Sequence, residues 1–103
     1  MECITEETIS DIINQEEYLL FYFTAKWCGP CQRIKPMILE LKEGLKTENI
    51  KFYMIDIDEN EELCSKCNIS SVPTFILFKD KKEINQCKGA NILNVANLIK
   101  PYC

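Results

Sequence analysis

The sequence contains no histidine. A structural zinc site needs four ligands, usually Cys or His, so only cysteines could build one here. The two Cys-x-x-Cys pairs are Cys28 with Cys31 and Cys64 with Cys67, and 32 residues separate the pairs. Both pairs fall on separate predicted helices, so we expect no metal site.

Long apolar runs and basic blocks are also missing. No apolar stretch approaches the roughly 18 residues that a membrane-spanning helix requires. The formal net charge is −4, and no long basic block is present to neutralise nucleic-acid phosphates. We therefore expect neither a membrane nor a nucleic acid as a partner.

The chain shows no sign of a signal peptide, because its first residues, MECITEETIS, are acidic and lack an apolar segment. Seven cysteines, an odd number, argue against an extracellular disulfide framework when no secretion signal is seen. We expect a cytoplasmic protein in a reducing compartment.

What is present is typical of one globular domain. The 103 residues are 47% hydrophobic and 27% charged, and no linker, repeat or low-complexity segment divides them. A chain of this size can bury a hydrophobic core without disulfides. We therefore expect one domain over residues 1–103.

Apolar periodicity predicts helices alternating with strands. LLFYF, residues 19–23, indicates a strand buried on both faces. Ile34, Ile38, Leu41 and Leu45 mark a helix that begins near a Gly-Pro pair and ends near Lys46. The other predicted helices cover about residues 6–16, 60–67 and 92–100, and the other predicted strands cover residues 51–57, 74–78 and 83–87.

This order predicts an α/β fold: a central mixed sheet with a parallel βαβ unit and an antiparallel hairpin, flanked by about four helices. Thr5, Asp58 and Asn91 are the predicted N-caps of the first, third and last helices, and Glu61 would complete a capping box with Asp58. The polar turn KDKK, residues 79–82, joins the hairpin.

The first cysteine pair lies in FTAKWCGPC, residues 23–31, at the junction of a strand and a helix. Cys28 falls at or before the helix start, whereas Cys31 falls on the inward face. The free N–H groups and the dipole of a helix N-terminus favour a thiolate, and Lys26 nearby would add to this effect. A fall in thiol pKa from ~8.5 to ~7 corresponds to roughly 2 kcal/mol. The pattern predicts an exposed attacking thiol and a shielded resolving thiol.

Five segments in the same order resemble the thioredoxin family: FTA at 23–25, WCGPC at 27–31, Pro36, VPTF at 72–75 and KGAN at 88–91. The resemblance covers essentially the whole chain and implies a thioredoxin fold. It also implies a thiol–disulfide oxidoreductase that reduces disulfides of other proteins, in which Cys28 attacks the target and Cys31 resolves the mixed disulfide.

The resemblance further implies the supporting residues and the electron source. Trp27, hydrogen-bonded to Asp58, would form one wall of a substrate groove, and Gly29 and Pro30 would tune the active-site turn. Other residues implied to lie along the groove are Val72, Pro73 (as a cis-proline), Lys88 and Gly89. No cofactor would be bound, and electrons would come from NADPH through a flavoprotein thioredoxin reductase. A monomer acting on disulfide-containing target proteins is expected.

The sequence departs from the family at three positions. Tyr22 stands where thioredoxins usually carry a buried aspartate that helps to deprotonate the resolving cysteine, and the facing Met54 is apolar. A tyrosine, with a pKa of ~10, is a poor base at neutral pH. We expect resolution to use water or to proceed more slowly. Lys81 replaces a common turn glycine, which predicts minor strain.

Two alternative functions remain open. One is a redox-dependent binding module whose reduced form holds a partner; the other is a glutaredoxin-like or disulfide isomerase-like oxidoreductase. The remaining cysteines also have two interpretations. Cys64, Cys67 and Cys87 are either small packing residues or regulatory thiols, the first two through a disulfide between them.

Overall fold

The buried run after the first helix forms the central strand of the sheet. The structure is a computed structural model that describes residues 1–14, 17–45 and 49–103. Its strands are β1 (Glu2–Cys3), β2 (Tyr18–Thr24), β3 (Ile50–Asp56), β4 (Thr74–Lys79) and β5 (Lys82–Lys88). Its helices are α1 (Ile9–Ile13), α2 (Gly29–Gly44), α3 (Glu61–Lys66) and α4 (Ile92–Ile99), followed by a 3₁₀ turn over Lys100–Tyr102.

The strands form one mixed sheet in the order β1-β3-β2-β4-β5. β2 pairs in parallel with β3 and antiparallel with β4, and β4 and β5 form a hairpin. The connection from β2 through α2 to β3 is the predicted βαβ unit. The predicted mixed sheet with a late hairpin is confirmed.

Alternate residues of β2 serve two cores because successive side chains of a strand point to opposite faces. Leu20 and Tyr22 pack with Ile34 of α2 and Val95 of α4 on one face. On the other face, Leu19, Phe21 and Phe23 lie in a second cluster, against which residues of α1 and α3 pack. The sheet thus separates two apolar layers, and the cysteine pair belongs to the layer beneath α2.

The predicted start of the first helix is wrong. The helix begins at Ile9 rather than at residue 6, and the backbone N–H of Thr5 donates to Thr8 Oγ1 in a preceding turn. Glu6 instead contacts α3, where its carboxylate accepts a hydrogen bond from the Leu63 N–H at 2.8 Å. The predicted ends of the first helix at residue 16 and of the second at Lys46 lie outside the described residues.

The predicted cap of α3 is also wrong. Asn60, not Asp58, occupies the N-cap position, and Glu61 is the first helical residue, so no capping box forms. Because Glu6 satisfies the Leu63 N–H from a distant part of the chain, the helix needs no local side-chain cap. The prediction for α4 is confirmed, since the Asn91 side chain accepts hydrogen bonds from the N–H groups of Leu93 and Asn94.

Strand β1 was not predicted, because two residues are too few to show an alternating pattern. It pairs in parallel with β3 and forms an edge of the sheet. Within the described residues, no helix is long and apolar enough to cross a bilayer.

The turn between β4 and β5 contains two residues in the left-handed region, Asp80 with φ 54° and Lys81 with φ 66°. Lys79 pairs with Lys82, so the loop has two residues, and positive φ at both is the geometry of a type I′ turn. Glycine adopts this conformation without strain, whereas lysine does not. The predicted strain at Lys81 therefore has a structural basis.

We predict that Lys81→Gly raises the free energy of unfolding by about 0.5–1 kcal/mol, because it relieves this strain and creates the Asp-Gly pair that type I′ turns favour. Chemical denaturation of the variant measures the change. The control is Lys82→Gly, one residue further in β5, which should lower stability by a similar amount. An unchanged or lower stability for Lys81→Gly would contradict the account.

Candidate active site

The cysteine pair lies where β2 leads into α2. Cys28 is the N-cap residue with extended backbone angles, α2 begins at Gly29, and Pro30 lies in the first turn, where its missing N–H costs no hydrogen bond. The backbone N–H of Cys31 donates to Cys28 Sγ at 3.2 Å. The sulfur of Cys28 therefore occupies the place that an Asp or Ser oxygen takes at an ordinary helix start.

Cys28 and Cys31 form a disulfide, with their Cα atoms 5.2 Å apart. Cys31 is fully buried, whereas 5% of Cys28 is exposed. The expectation of an open attacking sulfur is therefore wrong for this oxidised form, because Cys28 Sγ is bonded to the buried sulfur of Cys31 and lies 3.8 Å from the Val72 carbonyl oxygen. Cys28 is still more accessible than Cys31.

A loop from another part of the chain covers the pair. The peptide bond between Val72 and Pro73 is cis, which is the state that the resemblance implies. The N–H of Gly89 donates to the Pro73 carbonyl at 2.9 Å, so the end of β5 is fixed beside this loop. Lys88 pairs with Thr74 in the sheet. The structure thus places Val72 beside Cys28 and holds Pro73, Lys88 and Gly89 close to one another.

Trp27 stands on the surface beside the pair. Its side chain is 68% exposed, so it is not a core residue, and its indole N–H donates to Asp58 Oδ2 at 2.9 Å. Asp58 is therefore engaged in holding the indole rather than in capping α3. The exposed ring can form a wall for a bound segment.

Lys26, which was expected to favour the Cys28 thiolate, has a different partner in the structure. The Lys26 ammonium lies 3.7 Å from a Glu59 carboxylate oxygen, and both side chains are largely exposed. This pairing and solvent screening reduce the influence of Lys26 on Cys28. A Cβ added at Gly29 would lie 3.3 Å from the Arg33 guanidinium, the flexible end of an exposed side chain that can move aside.

Sequence reasoning missed the network that supports Asp58. Asp56 Oδ1 accepts a hydrogen bond from the Asp58 N–H at 2.8 Å. The fully buried Asn60 donates to the Asp56 carbonyl and accepts from the Glu6 N–H, both at 2.8 Å. An asparagine after a buried strand was the available signal, but its partner Glu6 is 54 residues away in the sequence.

Tyr22 lies beneath the disulfide with 1% of its surface exposed. Its hydroxyl donates to the Cys31 carbonyl oxygen at 2.6 Å, and its ring stacks on Phe75 with centroids 5.1 Å apart. Met54 faces it on β3. Burial raises the pKa of the Tyr22 hydroxyl, which strengthens the prediction that this residue is a poor base at neutral pH.

The three other cysteines singled out in the sequence are free thiols and half-buried. Cys64 and Cys67 pack against the core on the α1 and α3 face. Burial, the neighbouring Cys67 and nearby carboxylates raise the pKa of Cys64 to about 11. Burial also raises the pKa values of Cys67 and Cys87. These thiols are poorly ionised at neutral pH, and their regulatory role stays a prediction.

Within residues 1–14, 17–45 and 49–103, no three His, Cys, Asp or Glu side chains are grouped so that they could hold a metal ion. The disulfide-bonded pair itself supplies the redox chemistry of the site. Two cysteines that are close enough to form a disulfide can accept or donate a pair of electrons by thiol–disulfide exchange.

Comparison with known proteins gives consistent matches. The sequence model of the thioredoxin family matches residues 1–100. Thioredoxin 1 of Plasmodium falciparum is 35% identical over 98 residues, which are 95% of this chain and 92% of that protein. A solved structure of Plasmodium falciparum thioredoxin superposes with a TM-score of 0.92 at 33% identity and covers 100% of both chains.

Some relatives are matched over a smaller share of their length. Thioredoxin Asp f 29 of Aspergillus fumigatus is 41% identical over 68 residues, 66% of this chain and 62% of that protein. Thioredoxin-2 of Pyricularia oryzae is 34% identical over 85 residues, 82% of this chain but 48% of that protein.

We predict that Tyr22→Asp speeds the attack of Cys31 on a mixed disulfide at Cys28 at least about tenfold near neutral pH, because a carboxylate beneath Cys31 can accept its proton. Single-turnover release of the target thiol, measured across a pH series, tests this. Tyr22→Asn is the matched control, since it removes the ring equally and adds no base. Equal rates for the Asp and Asn variants at every pH would show that the missing acid does not limit resolution.

Proposed function

Since this chain belongs to the thioredoxin family, we propose that it is a thiol–disulfide oxidoreductase that reduces disulfide bonds in other proteins. The observation that carries the proposal is the disulfide-bonded pair at the start of α2, with Cys28 as N-cap residue and Cys31 buried. The exposed indole of Trp27 and the loop at Val72 and Pro73 give a target a surface beside the reactive sulfur.

The reaction begins from the reduced pair. The thiolate of Cys28 attacks one sulfur of the target disulfide, a bond forms between Cys28 and the target, and the other target cysteine leaves as a thiolate that takes up a proton. Cys31 then loses its proton and attacks Cys28 Sγ. The target leaves fully reduced with two electrons gained, and the Cys28–Cys31 disulfide is the oxidised product.

The helix start assists the first step. The Cys31 N–H that donates to Cys28 Sγ would donate equally to a thiolate, and hydrogen bonds to charged acceptors are stronger than those to neutral ones. Because a lower pKa also weakens the nucleophile, a thiol that ionises near ambient pH attacks fastest. The N-cap position of Cys28 favours a thiol that is partly ionised at ambient pH.

The oxidised protein must be reduced again before the next turnover. Its family supports a flavoprotein thioredoxin reductase as the electron donor, with NADPH as the source. In this scheme the chain itself binds no cofactor, acts as a monomer and works in the cytoplasm on disulfide-containing proteins. The electron source is tested by mixing the oxidised protein with such a reductase and NADPH and following the loss of NADPH absorbance.

We predict that the reduced chain catalyses the reduction of insulin disulfides by dithiothreitol, and that Cys28→Ser abolishes this because the attacking sulfur is lost. Turbidity of the released insulin chain is the measurement. Cys31→Ser should instead accumulate a mixed disulfide with insulin, which mass spectrometry detects.

The control is Cys103→Ser, which removes an exposed cysteine outside the pair and should leave the rate unchanged. A wild-type chain that binds a partner tightly but does not turn over would contradict the proposed reductase and favour a redox-dependent binding module.

A further inference from the structure

A groove of about 370 Å³ runs beside the disulfide between Trp27 and the loop that ends at Val72. Ile57 and Ile69 contribute apolar surface to it, and Ser70 and Ser71 also line it. Since Val72 contacts Cys28 Sγ through its carbonyl oxygen at 3.8 Å, a segment in this groove would lie next to the reacting sulfur.

Glu61 is the one charged side chain among the described residues that line this groove. Two neighbouring glutamates are paired with lysines: Glu59 with Lys26 and Glu62 with Lys66. No ion pair within the described residues involves Glu61. Its carboxylate, at the first position of α3, is available to a bound segment.

Asp58, which is bonded to the indole of Trp27, adds a second carboxylate beside this groove residue. Asp58 holds the indole N–H through Oδ2 and forms no ion pair in the described part of the chain. The 68% exposed indole offers the π surface to which ammonium and guanidinium groups are attracted. A cation in the groove would thus meet the Glu61 carboxylate and the indole face, with Asp58 held on the indole N–H.

Cys64 is the one cysteine among the described residues that line the groove, and it is a poor competitor for a target disulfide. Cys64 lines it, but burial first and then Cys67 and nearby carboxylates raise the pKa of its thiol to about 11. At neutral pH this thiol is neutral and does not compete with Cys28 for a target disulfide. Cys64 therefore offers no second exchange reaction in the groove at neutral pH.

We propose that Glu61, together with Asp58 and the Trp27 indole, selects target proteins whose reactive disulfide is flanked by lysine or arginine. This inference rests on the proposed reductase function and names its substrate class. Exposed charge pairs contribute about two- to fivefold each in binding, so the two carboxylates and the ring together favour a basic over an acidic target by about tenfold.

Two synthetic peptides test the proposal. They share one disulfide loop and differ only in having lysines or glutamates beside the reactive cysteine. For the wild type, we expect kcat/KM for the lysine peptide to exceed that for the glutamate peptide about tenfold at low salt, and the ratio to fall in 0.5 M salt because of screening. Glu61→Gln should reduce the ratio about threefold, and Glu61→Lys should bring it to one or below.

The matched control is Glu62→Gln, which changes the net charge equally on the same helix but outside this groove. It should retain nearly the wild-type ratio. Reduction of bis(2-hydroxyethyl) disulfide, a neutral compound, reports the basal activity, which Glu62→Gln should leave unchanged.

Three results would overturn the inference. A wild-type ratio near one, with the neutral disulfide still reduced, would reject charge selection and leave the reductase function standing. Equal losses for Glu61→Gln and Glu62→Gln would attribute the preference to net charge rather than to the groove. Failure to reduce the neutral disulfide as well would reject the reductase function and the inference with it.

Discussion

The hydrogen bond from the Cys31 N–H to Cys28 Sγ is the interaction on which the chemistry depends. It exists because β2 ends at Thr24 and α2 begins at Gly29, which places Cys28 at a helix N-terminus with a cysteine three residues later. The buried strand fixes one end of this turn. Ile34 and Ile38, packed against the sheet, fix the helix that follows. These contacts hold Cys28 Sγ at the N-terminus of α2, which is the positive end of the helix dipole.

The side chains beneath Cys28 Sγ are neutral, whereas charged side chains lie on the outer side. Beneath it lie Cys31, Tyr22 and Phe75, all buried and apolar or neutral, and the Tyr22 hydroxyl is already engaged with the Cys31 carbonyl. Outside it lie the carboxylates that hold and flank Trp27. With this neutral interior, we expect resolution by Cys31 to use water or to proceed more slowly, and we propose that the charged exterior selects the targets. Of the seven cysteines in the sequence, the pair at the helix start is the one that the structure joins.

Patterns of neighbouring residues predicted the features that depend on local structure. The helix start at Cys28, the cap at Asn91, and the buried run in β2 follow from neighbouring residues and are confirmed. The caps at Thr5 and Asp58 were wrong because Glu6 reaches Leu63 across 57 positions, a contact that no local pattern reveals. The low exposure of Cys28 also depends on a distant residue, Val72. The contacts around the pair could therefore be anticipated only from family resemblance.

The most direct test of the account is the thiolate absorbance of the reduced protein near 240 nm as a function of pH, with Cys28→Ser as reference. The difference between the two curves reports the ionisation of Cys28. The account predicts a midpoint near pH ~7, as is typical of thioredoxins, because the helix start stabilises the anion. A midpoint at or above the ~8.5 of a free thiol would contradict it.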